Sequence, residues 1–382
     1  MNPWLDRLRF YWAMLTKGSR LGNDFLDATN RRFCNSGSKI IGWHRGCPSY
    51  YLLAPPMLSR PALNGLTTRI MSVYQWRKLP DYAGLAVTDA CNCGCEHCSA
   101  TSMTAPGAPT QLLSTGEWKG VIRQAQDLGV STVAFVGGEP LMREDVAELV
   151  ASVDADRSQA ILFSNGWFLA ERARELSRAG LTSVLVSLDA ADPAGHDRRK
   201  ALAGCFDRAV AGIEAARRSG LLVGISSVVR PEDVRSGALG RLCDLGKRLR
   251  VNQLMFFDAV PTGNYERRTD LAWSNPQLEE IIDATAAYQR RADYPGVHCY
   301  AYSKSHRGLG CAGGVSQLYV SAGGNVCPCD FDPSSVGNVR EAPLHVLWDR
   351  FSEAGRACSA LDGCRRQKAS GPLRVAGCER RR

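Results

Sequence analysis

Short apolar runs and longer amphipathic stretches alternate through the middle of the chain. The first two runs, residues 85–89 and 131–136, have the length and the β-branched content of buried strands. Four more runs of this kind follow at residues 159–163, 182–188, 221–228 and 253–257. The stretches between the runs predict helices at residues 114–128, 143–154, 169–179, 204–219 and 233–249.

This order predicts an α/β fold. Strands that alternate with helices are expected to be parallel and joined by right-handed crossovers. Six such units, rather than eight, fit a partial (β/α)6 barrel of the TIM type. In a parallel barrel, ligands bind at the loops that follow the strands. The residues that fall at this rim are Cys91, Gly137, Ser164, Ser187 and Pro261.

Capping residues delimit two of the predicted helices. Ser114 and Glu117 have the spacing of a capping box, which starts a helix that runs to about Leu128. Gly180 follows an Arg- and Glu-rich stretch and is typical of a helix C-terminus.

Three cysteines follow the first predicted strand. Cys91, Cys95 and Cys98 lie within eight residues, in the spacing C-x3-C-x2-C. Three thiolates on one loop can each hold one iron of a 4Fe–4S cube and leave the fourth iron open. Zinc is the alternative, but a structural zinc site usually needs a second Cys-x2-Cys pair or histidines. Cys93, between the ligands, is expected to be a free thiol that points away.

A glycine-rich turn follows the second predicted strand, with the sequence Gly137-Gly138-Glu139-Pro140. Glycine lets the backbone approach a ligand closely. A carboxylate such as that of Glu139 accepts hydrogen bonds from a cationic amino group. On its own, such a turn either has no function or binds a ligand that carries an amine.

Together, the cysteine triad and the Gly-Gly-Glu-Pro turn resemble the radical S-adenosylmethionine (SAM) superfamily. The resemblance implies that the amino and carboxylate groups of SAM complete the open iron. An external reductant of the flavodoxin or ferredoxin type then supplies one electron, and SAM breaks into methionine and a 5′-deoxyadenosyl radical. The radical abstracts hydrogen from a substrate.

The resemblance also implies SAM contacts further along the rim. The expected cofactor-binding residues are Gly137, Gly138, Glu139, Pro140, Ser164, Asn165, Ser187, Asp189, Arg198 and Lys200. Ser187 and Asp189 are expected near the ribose, and the turn 261–263 near the adenine. Family members often carry an Arg-Gly pair where this chain has Lys200-Ala201. The partner of the methionine carboxylate is therefore left open among Arg198, Arg199 and Lys200. His97 either flanks the adenine or is solvated.

A second cysteine region begins beyond residue 295. Cys311 precedes a predicted β-hairpin around Gly323-Gly324, and Cys329, Gly337-Asn338 and Trp348 follow. This order resembles the SPASM/twitch extension, which holds one or two auxiliary 4Fe–4S clusters. The resemblance implies one cluster, held by Cys311, Cys329 and two of Cys358, Cys364 and Cys378. A nonstandard arrangement of two clusters that also uses Cys299 and Cys327 is left open.

Length and composition set outer bounds on the protein. The 382 residues allow three domains, a helical and irregular extension at 1–82, the barrel at 83–290 and a small α+β auxiliary-cluster domain at 291–382. No apolar run approaches the length of a membrane span. Fifteen cysteines without an export signal predict metal binding in a reducing cytoplasm. The net charge of +9 suits an anionic substrate, a phospholipid surface or solubility, and no nucleic-acid motif accompanies it.

The first 82 residues lie outside the resemblance. Apolar residues between Trp4 and Leu15 recur on one face of a predicted helix, which packs on the barrel or lies in a membrane interface. Residues 35–65 are rich in Pro, Gly and Ser and predict irregular structure over the barrel mouth.

These observations predict an oxidoreductase that dehydrogenates or cross-links a peptide or a secondary metabolite. One alternative is a radical epimerase in which Cys205, Cys299 or Cys327 returns a hydrogen atom. Others are an enzyme that modifies a tetrapyrrole, a quinone or a lipid, or a non-enzymatic iron–sulfur or zinc scaffold or electron carrier.

Overall fold

A nine-stranded sheet organises the part of the chain that the structure describes. The computed structural model describes residues 39–74, 78–103, 111–271, 273–304 and 311–353. The strands are β1 (Gly42–His44), β2 (Cys47–Ser49), β3 (Tyr82–Ala86), β4 (Thr132–Val136), β5 (Gln159–Ser164), β6 (Leu181–Ser187), β7 (Leu222–Val229), β8 (Gln253–Asp258), β9 (Gly296–Cys299), β10 (Gln317–Val320) and β11 (Val326–Cys327). The helices are α1 (Arg60–Tyr74), α2 (Thr115–Asp127), α3 (Val146–Ala151), α4 (Leu169–Ala179), α5 (Pro193–Lys200), α6 (Cys205–Arg218), α7 (Pro231–Arg235), α8 (Ala238–Arg248), α9 (Asn275–Gln289), α10 (Tyr300–Lys304) and α11 (Leu344–Glu353).

The strand order of this sheet is β11-β10-β3-β4-β5-β6-β7-β8-β9, and every neighbouring pair except β10–β11 is parallel. Strands β3 to β8 with their helices are the six predicted units, so the prediction of a partial α/β barrel is confirmed. The sheet stays open between its two edges, β9 and the β10–β11 hairpin.

Side chains alternate between the two faces of each strand. In β6, Val184 and Val186 pack outward in the main core beneath the helices, whereas Leu185 points inward and packs against Leu52 and Met255. The apolar run that predicted β6 is continuous because both faces of a parallel barrel strand are covered.

The helix limits follow the capping residues. The capping box of Ser114 and Glu117 is present, and Gly180 has the left-handed φ of 102°. The helix predicted at residues 143–154 is shorter, because the Arg143 guanidinium bonds the carbonyl oxygens of Val87 and Leu113 and the preceding backbone forms a separate turn. The helix predicted at 233–249 is interrupted at Gly237, whose φ is 74°.

Residues 39–59, which we call the strap, cross the end of the barrel where the strands begin. Lys39 donates hydrogen bonds to carbonyl oxygens before β9, and Asn252 donates to the carbonyl of Ile41. The Leu52 amide donates to Gln253, the first residue of β8, at 2.7 Å. The expectation that this segment covers the barrel mouth is therefore wrong: the strap closes the opposite end, and it contains the hairpin β1–β2.

The second cysteine region adds to the barrel sheet. Strand β10 pairs with β3, and β9 pairs with β8, so the sheet continues across the predicted domain limit at residue 290. The predicted domain limits stay predictions. The predicted hairpin is confirmed as β10–β11. The predicted helix at residues 4–15 lies outside the described residues. Within them, no helix combines the length and the apolar character that a membrane crossing requires.

Candidate active site

The cysteine triad lies on the loop that follows β3. Cys91 is exposed, Cys95 and Cys98 are partly buried, and all are free thiols. Sulfur is the donor that iron–sulfur clusters take from proteins, so the residues present fit the predicted cluster. Our proposal that these three hold it rests on their position at the strand ends.

Cys93 does not point away from this group, contrary to expectation. The Cys93 thiol is hydrogen-bonded to the thiols of Cys91 and Cys95. Its hydrogen bond to Cys91 lowers the pKa of Cys91 to about 6. On its other side Cys93 contacts Asn165 at 3.3 Å and the thiol of Cys205 at the start of α6. The loop therefore places a non-ligand thiol among the predicted ligands.

Three neighbouring segments fix the backbone of the cysteine loop. The amides of Gly94 and Glu96 donate to the carbonyl oxygens of Lys200 and Arg199, at the end of α5. Asn264 donates to the carbonyl oxygens of Cys95 and Cys98. A Cβ on Gly263 would lie 2.0 Å from the latter oxygen, so only glycine fits there. The turn at 261–263, predicted at the adenine, thus also supports the loop.

The two glycines of the Gly-Gly-Glu-Pro turn pack against the loop backbone. A Cβ on Gly137 would lie 2.3 Å from the Thr88 carbonyl, and one on Gly138 would lie 2.2 Å from that of Ala90. The amides of Gly138 and Glu139 donate to the same two carbonyl oxygens. Glycine is needed here for close packing between strand ends, and contact of these glycines with SAM stays a prediction.

Glu139 is wholly buried at the end of β4 and joins it to β5. Its carboxylate accepts hydrogen bonds from the Ser164 hydroxyl and from the amides of Leu141 and Asn165. Burial raises the pKa of Glu139 to about 7. A carboxylate offers about four acceptor positions, and three of them are used to brace the rim, so contact of Glu139 with SAM stays a prediction.

A buried ion pair lies beside the loop, between β6 and α5. Lys200 Nζ is 2.8 Å from Asp189 Oδ2 and donates to Ser187 at 2.6 Å. Burial opposes the charge of Asp189, yet the neighbouring cations hold its pKa well below the usual range. Of the basic residues left open by the sequence, Lys200 is the one that enters the site. Arg199 is bound to backbone oxygens and Asp233, and Arg198 is exposed.

His97 points towards this pair. Its Nε2 lies 3.3 Å from Asp189 Oδ2, and burial lowers the pKa of His97 to about 4, so the ring is neutral. Its Nδ1 is buried and has no hydrogen-bond partner in the described part of the chain. The expectation of a solvated histidine is wrong, and a buried nitrogen without a partner fits a ligand at this rim.

The structure brings two of the predicted auxiliary ligands together. A Cβ on Gly313 would lie 3.6 Å from Cys311 Sγ and 3.5 Å from Cys329 Cβ, so both cysteines border the same small volume. Trp348 is buried in α11, where it donates to the carbonyl of Lys78. The remaining predicted ligands, Cys358, Cys364 and Cys378, lie outside the described residues.

A cavity of about 470 Å³, which we call the lumen, fills the barrel interior. Its wall includes Val136, directly before Gly137, and Cys311 at the other side, and the strap closes its floor with Tyr51 and Leu53. The sequence did not single out Asp330, which also lines the lumen. Burial raises the pKa of Tyr82 and Tyr319, and the negative charge of Asp330 raises it further. The position of Asp330 directly after Cys329 was the available signal.

Comparisons with known proteins agree with this arrangement. The family model of the radical SAM superfamily matches residues 85–236, and that of an iron–sulfur cluster-binding domain, SPASM, matches residues 311–370. A PqqA peptide cyclase from Rhizobium meliloti is 30% identical over 287 residues, which cover 71% of this chain and 74% of the relative.

The chain belongs to the radical SAM superfamily.

Further relatives support this assignment. An AdoMet-dependent heme synthase from Methanosarcina barkeri is 28% identical over 284 residues, which cover 69% of this chain and 80% of the relative. The crystal structure of Streptococcus suis SuiB bound to its precursor peptide SuiA superposes with a TM-score of 0.62 at 14% identity, over 91% of this chain and 83% of SuiB, and shows a shared fold. The protein is a radical SAM enzyme with a SPASM domain, and its cofactors are SAM and 4Fe–4S clusters.

Proposed function

We propose that this radical SAM enzyme oxidises a peptide side chain or a secondary metabolite held in the lumen. The observation that carries the proposal is the wall of this one cavity, which runs from Val136 at the Gly-Gly-Glu-Pro turn to Cys311 in the SPASM region. A substrate held there is in reach of both predicted cluster sites. When bound, the clusters and SAM supply a 5′-deoxyadenosyl radical and an acceptor for one electron.

Side chains of this chain are assigned to bind the two clusters and SAM and to accept a proton from the substrate. We assign the SAM-binding cluster to Cys91, Cys95 and Cys98, and the methionine carboxylate to Lys200. We assign the auxiliary cluster to Cys311, Cys329 and two of Cys358, Cys364 and Cys378. A substrate that loses a hydrogen atom and an electron must also release a proton, and the Asp330 carboxylate on the lumen wall is placed to accept it.

The charges of the lumen favour this substrate class over a tetrapyrrole. Among the described residues that line the cavity, Arg69 is the one guanidinium or ammonium group, and Asp81 pairs with it at 2.7 Å. Macrocycles that carry several carboxylates need cationic partners once they are buried. The wall has two carboxylates, Asp81 beside Arg69 and Asp330, and its mainly apolar surface suits instead an uncharged group or an amine.

Anaerobic reconstitution with iron and sulfide tests the proposal. We expect about eight irons per chain, as two 4Fe–4S clusters require, and 5′-deoxyadenosine when dithionite is added. With a panel of peptides encoded by neighbouring genes, small metabolites and tetrapyrroles, we expect one product that is two hydrogens lighter. Turnover of a tetrapyrrole would contradict the substrate class, and bound zinc without SAM cleavage would contradict the enzyme.

Asp330→Asn tests the proton acceptor. This variant should cleave SAM at the wild-type rate and lose most of the oxidised product, because the substrate proton has no acceptor. Asp332→Asn is the matched control, since Asp332 bonds Ser334 instead of lining the lumen. Equal product from wild type and Asp330→Asn would remove Asp330 from the reaction.

Radical epimerisation is the second candidate, and one observation favours it. Cys299 lines the lumen, whereas Cys205 is buried behind the cysteine loop, so Cys299 is the thiol placed to return a hydrogen atom. In deuterium oxide an epimerase would yield a product one mass unit heavier rather than a lighter one, and Cys299→Ala would abolish this product while SAM cleavage continued.

A further inference from the structure

The positive charge of the chain is concentrated at its ends. Residues 1–80 contain twelve Lys and Arg against three Asp, an excess equal to the whole net charge of +9. Residues 354–382 carry a further excess of six, and residues 81–353 are net negative by six. Between residues 39 and 80 there are six Lys and Arg and no Asp or Glu. The strap and the helix behind it therefore carry no acidic side chain of their own, while Arg60 and Arg69 pair with Asp156 and Asp81 of the barrel.

The same segment exposes most of the large apolar side chains on the described surface. Of eight such exposed residues in the described part of the chain, five lie in the strap or on α1, namely Ile40, Trp43, Met57, Leu58 and Met71. Trp43 is the most exposed of them, at 61%. Scattered single apolar residues are ordinary on a protein surface, but a cluster within one segment marks an interaction site.

Backbone contacts bring three of these residues, Trp43, Met57 and Leu58, close together. Trp43 lies opposite Pro48 in the hairpin β1–β2. The amide of Met57 donates to the Pro48 carbonyl at 2.8 Å, which brings Met57 and Leu58 beside the hairpin. Arg45, at the tip of the hairpin, is exposed next to Trp43. The outer face of the strap thus combines aromatic, aliphatic and cationic groups.

This face is held rigidly by the barrel floor. Gln253 and Gln159 bond the backbone of Leu52 from below, and Leu52 is buried among Leu185 and Met255. Tyr51 and Leu53, on the inner side of the strap, line the lumen. The outer face is therefore presented in a fixed orientation, directly beneath the cavity that we assign to the substrate.

We propose that the outer face of the strap docks on an anionic phospholipid bilayer. Trp and aliphatic side chains enter the boundary between headgroups and acyl chains, and the surrounding cations are attracted by anionic lipid. The exposed Trp43 next to Arg45 combines an inserting ring with a cation, which suits the headgroup region of an anionic bilayer. Docking through this face sets the barrel floor against the membrane and turns the rim, with the cysteine loop, towards the solvent.

Vesicle co-sedimentation of the full-length holoenzyme tests the proposal. Wild type should pellet with vesicles of phosphatidylcholine that contain one quarter phosphatidylglycerol, should pellet far less with pure phosphatidylcholine, and should be released by high salt. Trp43→Asp should lower the partition coefficient of the protein onto anionic vesicles by at least about tenfold, because it replaces an inserted ring with an anion. SAM cleavage should not change, since Trp43 is remote from the rim.

Two further variants separate docking from misfolding and from general charge. Arg45 has a φ of 49°, which asparagine tolerates, so Arg45→Asn removes one cation without disturbing the turn and should weaken binding about fivefold. Val346→Asp is the matched control, because Val346 is similarly an exposed apolar residue but lies on α11. It should bind vesicles like wild type.

The proposal is overturned by any of three results. Wild type fails to pellet with anionic vesicles, Trp43→Asp pellets as strongly as wild type, or light scattering shows that Trp43→Asp converts a dimer into a monomer. The last result would make this face an interface between two copies. None of these three measurements depends on the proposed oxidation, which is tested separately through SAM cleavage and the mass of the product.

Discussion

The two cysteine regions of this enzyme are built in different ways. Cys91, Cys95 and Cys98 lie on one loop, and that loop is held by the end of α5, by Asn264 and by the Gly-Gly-Glu-Pro turn. Cys311 and Cys329 come together only because the chain returns to the barrel and adds β10 beside β3. The first site depends on the spacing of cysteines along one loop whose backbone is fixed by its neighbours, and the second depends on tertiary structure. Variants that affect one site and leave the other intact test this difference.

Loss of one cysteine from each region should have the most divergent consequences. Cys329→Ala should lose about four irons and substrate oxidation but keep SAM cleavage near the wild-type rate. SAM cleavage should persist because the cysteine loop binds its cluster without the second cysteine region. Cys95→Ala should abolish 5′-deoxyadenosine formation altogether, by more than about a thousandfold. Cys243→Ala, a buried thiol beneath the helices, is the control and should behave like wild type. Loss of SAM cleavage in well-folded Cys329→Ala would show that the two regions are not independent.

The buried ion pair beside the rim should contribute the largest single bracing effect. Lys200→Met leaves Asp189 charged and without its cation at a buried position, which should lower the free energy of unfolding by about 3–5 kcal/mol. Urea denaturation of the apoprotein measures this. The double variant Lys200→Met with Asp189→Asn is the control and should recover most of the loss. A single variant as stable as wild type would exclude the pair as a brace.

Glu139 should make the braced region sensitive to pH. Because burial raises its pKa from 4.5 to about 7, the carboxyl stabilises the fold fully below pH 4.5, and this contribution is lost as the pH rises to about 7. The difference is about 3 kcal/mol. Glu139→Gln should remove this slope from the unfolding free energy of the apoprotein, whereas Glu148→Gln, at an exposed position, should keep it. An unchanged slope in Glu139→Gln would contradict the burial of a titrating carboxyl there.

The smallest effect concerns the end of α5. Ala201 has a φ of 50°, in the left-handed region, where the sequence departs from the Arg-Gly pair of its family. Ala201→Gly should relieve this strain and raise the free energy of unfolding by about 1 kcal/mol. Ala215→Gly, within α6, should lower it by about as much. Both are read from urea denaturation, and destabilisation by Ala201→Gly would mean that the Ala201 methyl group stabilises the fold by more than the strain costs.

The same difference explains what the sequence could predict. The barrel strands, the cysteine triad and the capping of α2 are encoded within a few residues, so periodicity and spacing found them. Lys200 could only be narrowed to a group of three basic residues, because its choice depends on which side chain reaches Asp189 across the strand ends. The strap and Asp330 were missed or misplaced because their positions are set by contacts far apart in sequence, such as Leu52 with Gln253.

We propose that the cysteine loop at residues 91–98 holds a cluster with one iron open to SAM. Electron paramagnetic resonance of reduced, reconstituted Cys329→Ala measures this with the least interference from the auxiliary cluster. We expect that addition of SAM shifts the spectrum of the remaining cluster and yields 5′-deoxyadenosine. A spectrum that is identical with and without SAM would contradict it.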